Sequence, residues 1–362
     1  MRVLVVNAGS SSLKLAVVEG AQLVAAESSP FDGAQVDGGF IRDVIASAGR
    51  IDAVGHRVVH GGTEFLTATR IDDGVRRKLG ALIDLAPLHQ PKSLAALDAV
   101  TDELPGTLAV ACFDTAFHAT IPDEASTYAL PVEWRRRWPL RRFGFHGLSH
   151  AYASRRVAEL VGKPSHELRI VSCHLGAGAS VTAIGGGRSV DTSMGFTPLE
   201  GLVMATRSGS IDPGLLLWLQ EHAGMPSGEL AQTLETRSGL RGLAGTADLK
   251  EVFDREQGGD PDAVLAAGVY LHRLRAVIAA MASSMNGLDV LLFTGGAGEK
   301  SSPLRSRACE GLAFLGVTVD RTLNDAADPD CEITQHGARV RTFVIEARED
   351  LQIAGEVAAA LA

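Results

Sequence analysis

The chain has 362 residues, long enough for two domains with separate cores, and its 46% hydrophobic and 21% charged content is that of an ordinary globular protein. A net charge of −9, spread along the sequence, excludes a basic nucleic-acid surface. No stretch is expected to reach the ~20 apolar residues of a membrane span, and the widely spaced Cys112, Cys173, Cys309 and Cys331 form no metal-ligand pattern, which predicts reduced thiols in a cytoplasmic protein.

In chain order, strands are predicted over 2–7 and 12–18, with a third near 21–26. Between the first two lies the turn Asn7-Ala-Gly-Ser-Ser-Ser-Leu-Lys14. A strand entering a glycine and hydroxyl turn exposes backbone N–H groups suited to phosphate oxygens, with Ser10, Ser12 and Lys14 as side-chain partners. An ordinary hairpin carries similar polar residues. A helix is expected over 36–49 and a strand over 53–59, ending in His60-Gly61-Gly62. That strand carries Arg57, whose guanidinium can fork onto carboxylate or phosphate oxygens.

A helix should follow Pro91, because proline suits the first helical turn. The apolar run 108–113 ends in Asp114, at the kind of strand terminus where α/β sheets place ligands. Residues 122–145 read as irregular, with three prolines and the basic stretch Trp134-Arg-Arg-Arg-Trp138. A helix is expected from Ser149, and the domain junction lies just before it.

The hairpin then returns: 170–185 has two apolar runs joined by His174-Leu-Gly-Ala-Gly-Ala-Ser180. Arg207 sits in a glycine loop before a helix opened by Asp212-Pro213. Residues 262–286 predict a long helix, apolar almost all round and so buried between layers or subunits. The run Leu291-Leu-Phe293 enters another glycine turn, Thr294–Glu299, while 339–345 reads as a strand and 351–361 as a closing helix. Glu349, after the last strand, can offer oxygen to a divalent cation or merely place charge in a helix's first turn. The repeated hairpin predicts a duplicated α/β protein.

Taken together and in order, these segments resemble the acetate kinase family, within the superfamily that includes sugar kinases, heat-shock 70 proteins and actin. The resemblance rests on Asn7–Lys14 and His174–Ser180 and extends through 56–62, 113–118, 142–150, 191–201, 206–214, 294–299 and 349–351. It implies two duplicated actin-like (ribonuclease H-like) domains with a cleft between them: 1–147, rejoined by a closing helix at 350–362, and 148–349, which would bind nucleotide and form a dimer contact. It further implies Mg²⁺-dependent (or Mn²⁺-dependent), reversible transfer of the ATP γ-phosphoryl group to acetate, giving acetyl phosphate and ADP, in a cytoplasmic homodimer.

Carried onto this sequence, the resemblance gives Arg57 and Arg207 to acetate and the transferring phosphoryl group, and His146 and His174 to that group. Asp114 would orient Arg207 or activate the acceptor, and Glu349 with Asn7 would support the metal. Val59, Leu88, Phe145 and Pro198 would line the methyl pocket. Ser10, Ser12, Lys14, His174, Gly176, Gly178, Asp248, Lys250, Gly296, Ala297, Gly298 and Lys300 would lie along the nucleotide. Four residues depart from the family pattern: Ala177 and Lys300 replace Asn, Lys250 replaces Arg, and Ser210 replaces Asp. The first three fall on the nucleotide side, which leaves pyrophosphate open as donor. Propionate or butyrate remain alternative acceptors, and a silent nucleotide-binding sensor is the alternative of another class.

Overall fold

The computed structural model describes residues 1–9, 12–31, 33 and 36–362. The chain divides into two compact units, Met1–Ala119 with Phe145–Tyr152 and Arg348–Ala362, and Thr120–Gly144 with Ala153–Ala347. Thr120–Gly144, expected in the first domain, therefore belongs to the second. Its anchors there are polar: Tyr128 and Arg142 donate to Glu200 at 2.5 and 2.8 Å, and the Phe143 N–H donates to the Gly195 carbonyl at 3.0 Å.

The first unit is built on β1 (Arg2–Ala8), β2 (Ser12–Glu19), β3 (Gln22–Pro30), β4 (Ala53–Val58), β5 (Thr69–Arg70) and β6 (Leu108–Phe113). They lie in the order β3-β2-β1-β4-β6-β5. The second contains β7 (Arg169–Leu175), β8 (Ala179–Gly185), β9 (Arg188–Thr192), β10 (Val290–Thr294), β11 (Cys331–Glu332) and β12 (Arg341–Val344), in the order β9-β8-β7-β10-β12-β11. Along both orders the pairings run antiparallel, antiparallel, parallel, parallel, antiparallel. The duplication read from the two hairpins is thus a duplication of whole sheets.

Side-chain alternation explains how each sheet is covered. Leu4 and Val6 of β1 pack with Ile41 and Val44 of helix Gly38–Ala48 and with Ala96 and Val100 of helix Gln90–Glu103. Val3 and Val5 face the other way, onto Ile353, Ala354 and Val357 of the closing helix Glu349–Leu361. A strand covered on both faces must read as a continuous apolar run, as β1 does.

Two expectations need correction. Residues 122–145 contain short helices at Asp123–Ser126 and Val132–Arg137, the second opened after Pro131 and ended before Pro139. Pro261–Ser284 is, by length and composition alone, long and apolar enough to cross a membrane. It buries Ala266, Tyr270, Leu274 and Ile278 within the second unit, and its charged Asp262, Arg273 and Arg275 interrupt the apolar surface. It is the core helix of that unit.

Candidate functional site

Asn7 is the penultimate residue of β1 and Arg57 the penultimate residue of β4, and Asp114 follows β6 directly. Parallel neighbours therefore deliver three polar side chains to one end of the sheet. Arg57 donates from Nε to Asp114 Oδ1 at 2.9 Å and from Nη2 to Oδ2 at 2.6 Å. Its Nη1 donates to Asn7 Oδ1 at 3.0 Å, and Asn7 Nδ2 donates to Glu349 Oε2 at 3.1 Å. Glu349 Oε2 also lies 3.9 Å from Arg57 Nε.

Exposure of the three charged side chains is 16% for Arg57, 2% for Asp114 and 18% for Glu349, so water screens them little. Burial disfavours the guanidinium charge, yet Asp114 and Glu349 outweigh it and raise the Arg57 pKa. Asp114 is pushed up by burial, against the pull of Arg57, and the Glu349 carboxylate adds to the rise. One cation and two carboxylates leave this group with a net charge of −1. Glu349 opens its helix, where the positive end of the helix dipole favours an anion.

His146 is half-buried with φ of 57°, a left-handed conformation uncommon outside glycine. The following Gly147 fixes it there: its N–H donates to the Asp114 carbonyl at 2.9 Å, and a Cβ would lie 2.2 Å from that oxygen. Phe145 is fully buried, with the His60 ring edge-on at 5.5 Å and His118 Nε2 bonded to its carbonyl at 3.0 Å. Burial lowers both imidazoles to about 4, so they stay neutral and structural. Val59 is buried in this unit, whereas Leu88 is 52% exposed.

In the second unit, His174 is the penultimate residue of β7, the place Asn7 holds on β1. The turn after it closes through Gly176 N–H to Gly178 O at 3.0 Å. Arg207 pairs through Nε with Glu235 Oε2 at 2.9 Å, and its Nη1 donates to the carbonyl of buried Pro198 at 3.4 Å. A cavity of about 620 Å³ opens in this unit, lined by Gly176, Asp248, Lys250, Gly296, Ala297 and Lys300 together with Ala177, Leu240 and Phe253.

Gly295 has φ of 78° and lies so close to β7 that a Cβ would sit 2.9 Å from the Leu175 carbonyl. A Cβ on Gly296 would meet nothing within 4 Å, so this backbone borders open space. Asp248 Oδ1 accepts from Lys250 N–H at 2.8 Å and caps helix Leu249–Gln257, while Lys250 Nζ is paired with Asp254 at 2.7 Å. Thr294–Glu299, expected as a glycine turn, forms instead the short helix Gly295–Lys300, in which Gly298 is buried; Ser12 and Lys14 lie on β2 of the first unit, and Ser10 lies outside the described residues.

Sequence reasoning passed over the groups that hold these side chains. Glu235 carries no local pattern, being a helical acid paired only by tertiary structure. Arg305 is 2% exposed and donates to the carbonyls of Gly298 at 2.9 Å and Glu299 at 2.7 Å, and to Asn324 Oδ1 at 2.8 Å. Glu299 Oε1 accepts from Gly295 N–H at 2.9 Å and Ala347 N–H at 3.0 Å.

A family model described as the acetokinase family matches residues 40–355. An acetate kinase from Dictyoglomus thermophilum is 45% identical over 314 residues, 86% of this chain and 79% of that relative. Among solved structures, Porphyromonas gingivalis acetate kinase superposes with a TM-score of 0.90 at 34% identity, covering 100% of both chains. A propionate kinase from Francisella tularensis gives a TM-score of 0.90 at 33% identity, covering 98% of both.

Proposed function

Since this chain belongs to the acetokinase family, with its two-domain actin-like α/β fold, we propose that it transfers the γ-phosphoryl group of ATP to acetate, reversibly. It is a phosphotransferase with a carboxyl acceptor. An acetate oxygen forms the new bond to the γ-phosphorus, the bond to the β–γ bridging oxygen breaks, and ADP leaves with that electron pair. Acetate arrives as an anion, so no proton must be removed from it and no general base is required.

The observation that carries this reading is the half-buried Arg57, fixed by Asp114 on one edge and Asn7 on the other. Phosphoryl transfer spreads charge over three equatorial oxygens, and catalysis consists mostly of positioning and charge compensation. A guanidinium oriented beforehand supplies both without rearranging during the reaction. Arg207, held by Glu235, and the imidazoles of His146 and His174 are assigned the same kind of work. Asp114, expected to orient Arg207, gives both its oxygens to Arg57 and is assigned the orientation of that residue.

The residues fit a magnesium ion. Among the described residues no cluster of three or more His, Cys, Asp or Glu could cage a metal. Magnesium typically takes one or two carboxylates and completes its shell with water and substrate phosphates. Glu349, with Asn7 bonded to it, offers such hard oxygen chemistry within a group of net negative charge. Bound there, the ion would supply charge neutralisation for the polyphosphate.

For the donor, Leu240 and Phe253 in the second unit's cavity favour a nucleotide over pyrophosphate, which has no apolar part to bury. This carries the reading past the departures at Ala177, Lys250 and Lys300. Propionate is the second acceptor, because one extra methylene changes pocket binding by only ~1–3 kcal/mol, and the match to a propionate kinase favours it. ATP as donor supports a cytoplasmic reaction. Exposed Leu217, Trp218 and Leu265 support a homodimer. The test is hydroxylamine trapping of acyl phosphate across acetate, propionate and butyrate, with ATP or pyrophosphate. Product with ATP and acetate is expected; none with any acid would overturn the reading.

A further inference from the structure

Three consecutive N–H groups after β12 are each fixed within the second unit. Ile345 donates to the Phe293 carbonyl at 2.9 Å, Glu346 to Asp330 Oδ1 at 3.1 Å, and Ala347 to Glu299 Oε1 at 3.0 Å. The chain then enters the first unit at Arg348, and the next residue is Glu349. The oxygen of Glu299 that holds Ala347 also holds the N–H of Gly295, the first residue of the short helix Gly295–Lys300 that borders the cavity. One carboxylate oxygen thus joins the helix assigned to the nucleotide with the segment leading to the carboxylate assigned to the metal.

We propose that Glu299 is a positioning residue that couples nucleotide binding at the short helix Gly295–Lys300 to the placement of Glu349. This rests on the nucleotide and metal assignments made above and adds the connection between them. Glu299 does not line the cavity. Its Oε1 has two lone pairs, both used by backbone N–H donors, so a displacement of Gly295 is passed to Ala347 and onward along two covalently linked residues. Arg305 holds the far end of this helix through the carbonyls of Gly298 and Glu299, which keeps the helix moving as a piece. The bonds need a carbonyl-type oxygen at that position and not a negative charge, so glutamine should serve and alanine should not.

The test measures ADP binding by calorimetry without metal and with Mn²⁺, and takes the ratio of the two dissociation constants as the coupling factor. The same ratio is read in wild type, Glu299→Ala, Glu299→Gln and Glu299→Asp. The alanine variant should lose coupling by roughly tenfold, within the range of ordinary site-to-site couplings, and glutamine should restore it to within threefold of wild type. Aspartate is one methylene too short to span both donors and should behave as alanine does, which keeps the test decisive if the alanine variant does not fold. A loss below threefold in the alanine or aspartate variant, or a glutamine variant as defective as alanine, would overturn the proposal. Wild-type chain that binds no ADP would overturn the nucleotide assignment itself, and this inference with it.

Discussion

Arg57 and Asp114 meet edge to edge in two parallel hydrogen bonds of 2.9 and 2.6 Å, with Asp114 almost wholly removed from solvent. Both carboxylate oxygens serve the guanidinium, whose remaining edge is fixed by Asn7. A carboxylate so engaged orients its partner.

Removing Arg57 should therefore remove catalysis and, by leaving Asp114 buried without its partner, cost stability too. Arg57→Ala is expected to lower turnover by ~10³–10⁵, the scale of arginine-finger losses, and Arg207→Ala should do likewise. Steady-state kinetics beside circular dichroism checks this. A variant keeping more than about a tenth of activity loses its place in the mechanism.

Breaking the pair from the other side should act on stability as well. Asp114→Asn leaves a guanidinium without its charge partner, which costs about 3–5 kcal/mol when the pair is buried. The double variant Arg57→Met/Asp114→Leu should recover most of that loss in urea unfolding and remain inactive. Recovery of activity along with stability would contradict the assigned roles.

Acid should weaken the first unit through its neutral histidines. His56 is 1% exposed, neither ring nitrogen has a hydrogen-bond partner among the described residues, and burial lowers it from 6.5 to about 4. Below 6.5 the unfolded imidazole binds a proton that the native one refuses until about 4. Stability must fall across that window as pH drops, with a limiting slope near ~1.4 kcal/mol per pH unit for one group. His56→Leu should be more stable than the parent at neutral pH, and its advantage should grow by about 2 kcal/mol on going to pH 5. An advantage that stays constant with pH would show that His56 does not titrate in this way.

Two glycines should respond oppositely to alanine. At Gly147 a Cβ would strike the Asp114 carbonyl at 2.2 Å, so Gly147→Ala should cost stability by ~1–3 kcal/mol and depress turnover by moving His146 and Asp114. At Gly296 a Cβ meets no protein atom within 4 Å, so Gly296→Ala should melt like the parent. Its methyl would enter the cavity, and a loss of about 1.4 kcal/mol there would raise the nucleotide KM about tenfold. An unchanged KM would remove Gly296 from the donor site.

The strand-end positions of Asn7, Arg57, Asp114 and His174 were legible because an apolar run broken by a polar residue and a glycine marks where a buried strand reaches solvent. The duplicated sheets were legible for the same reason. The helices within 122–145 were hidden behind prolines, which signal breaks more loudly than the short turns between them. Phe145 was expected at the methyl pocket, and its packing against His60 and the bond from its carbonyl to His118 could not be read from a loop of Phe, Gly and His.

Local order, then, was written in the residues themselves: hydrophobic period, glycine turns and capping residues act over a few positions and need no distant partner. The partners of Arg57, Arg207 and Glu349 were decided by tertiary structure alone. Glu349 reaches Asn7 across 342 positions of chain, and Glu235 meets Arg207 only through folding. Ion pairs and backbone-to-carboxylate bonds form at hydrogen-bonding distance in space, where sequence separation leaves no trace.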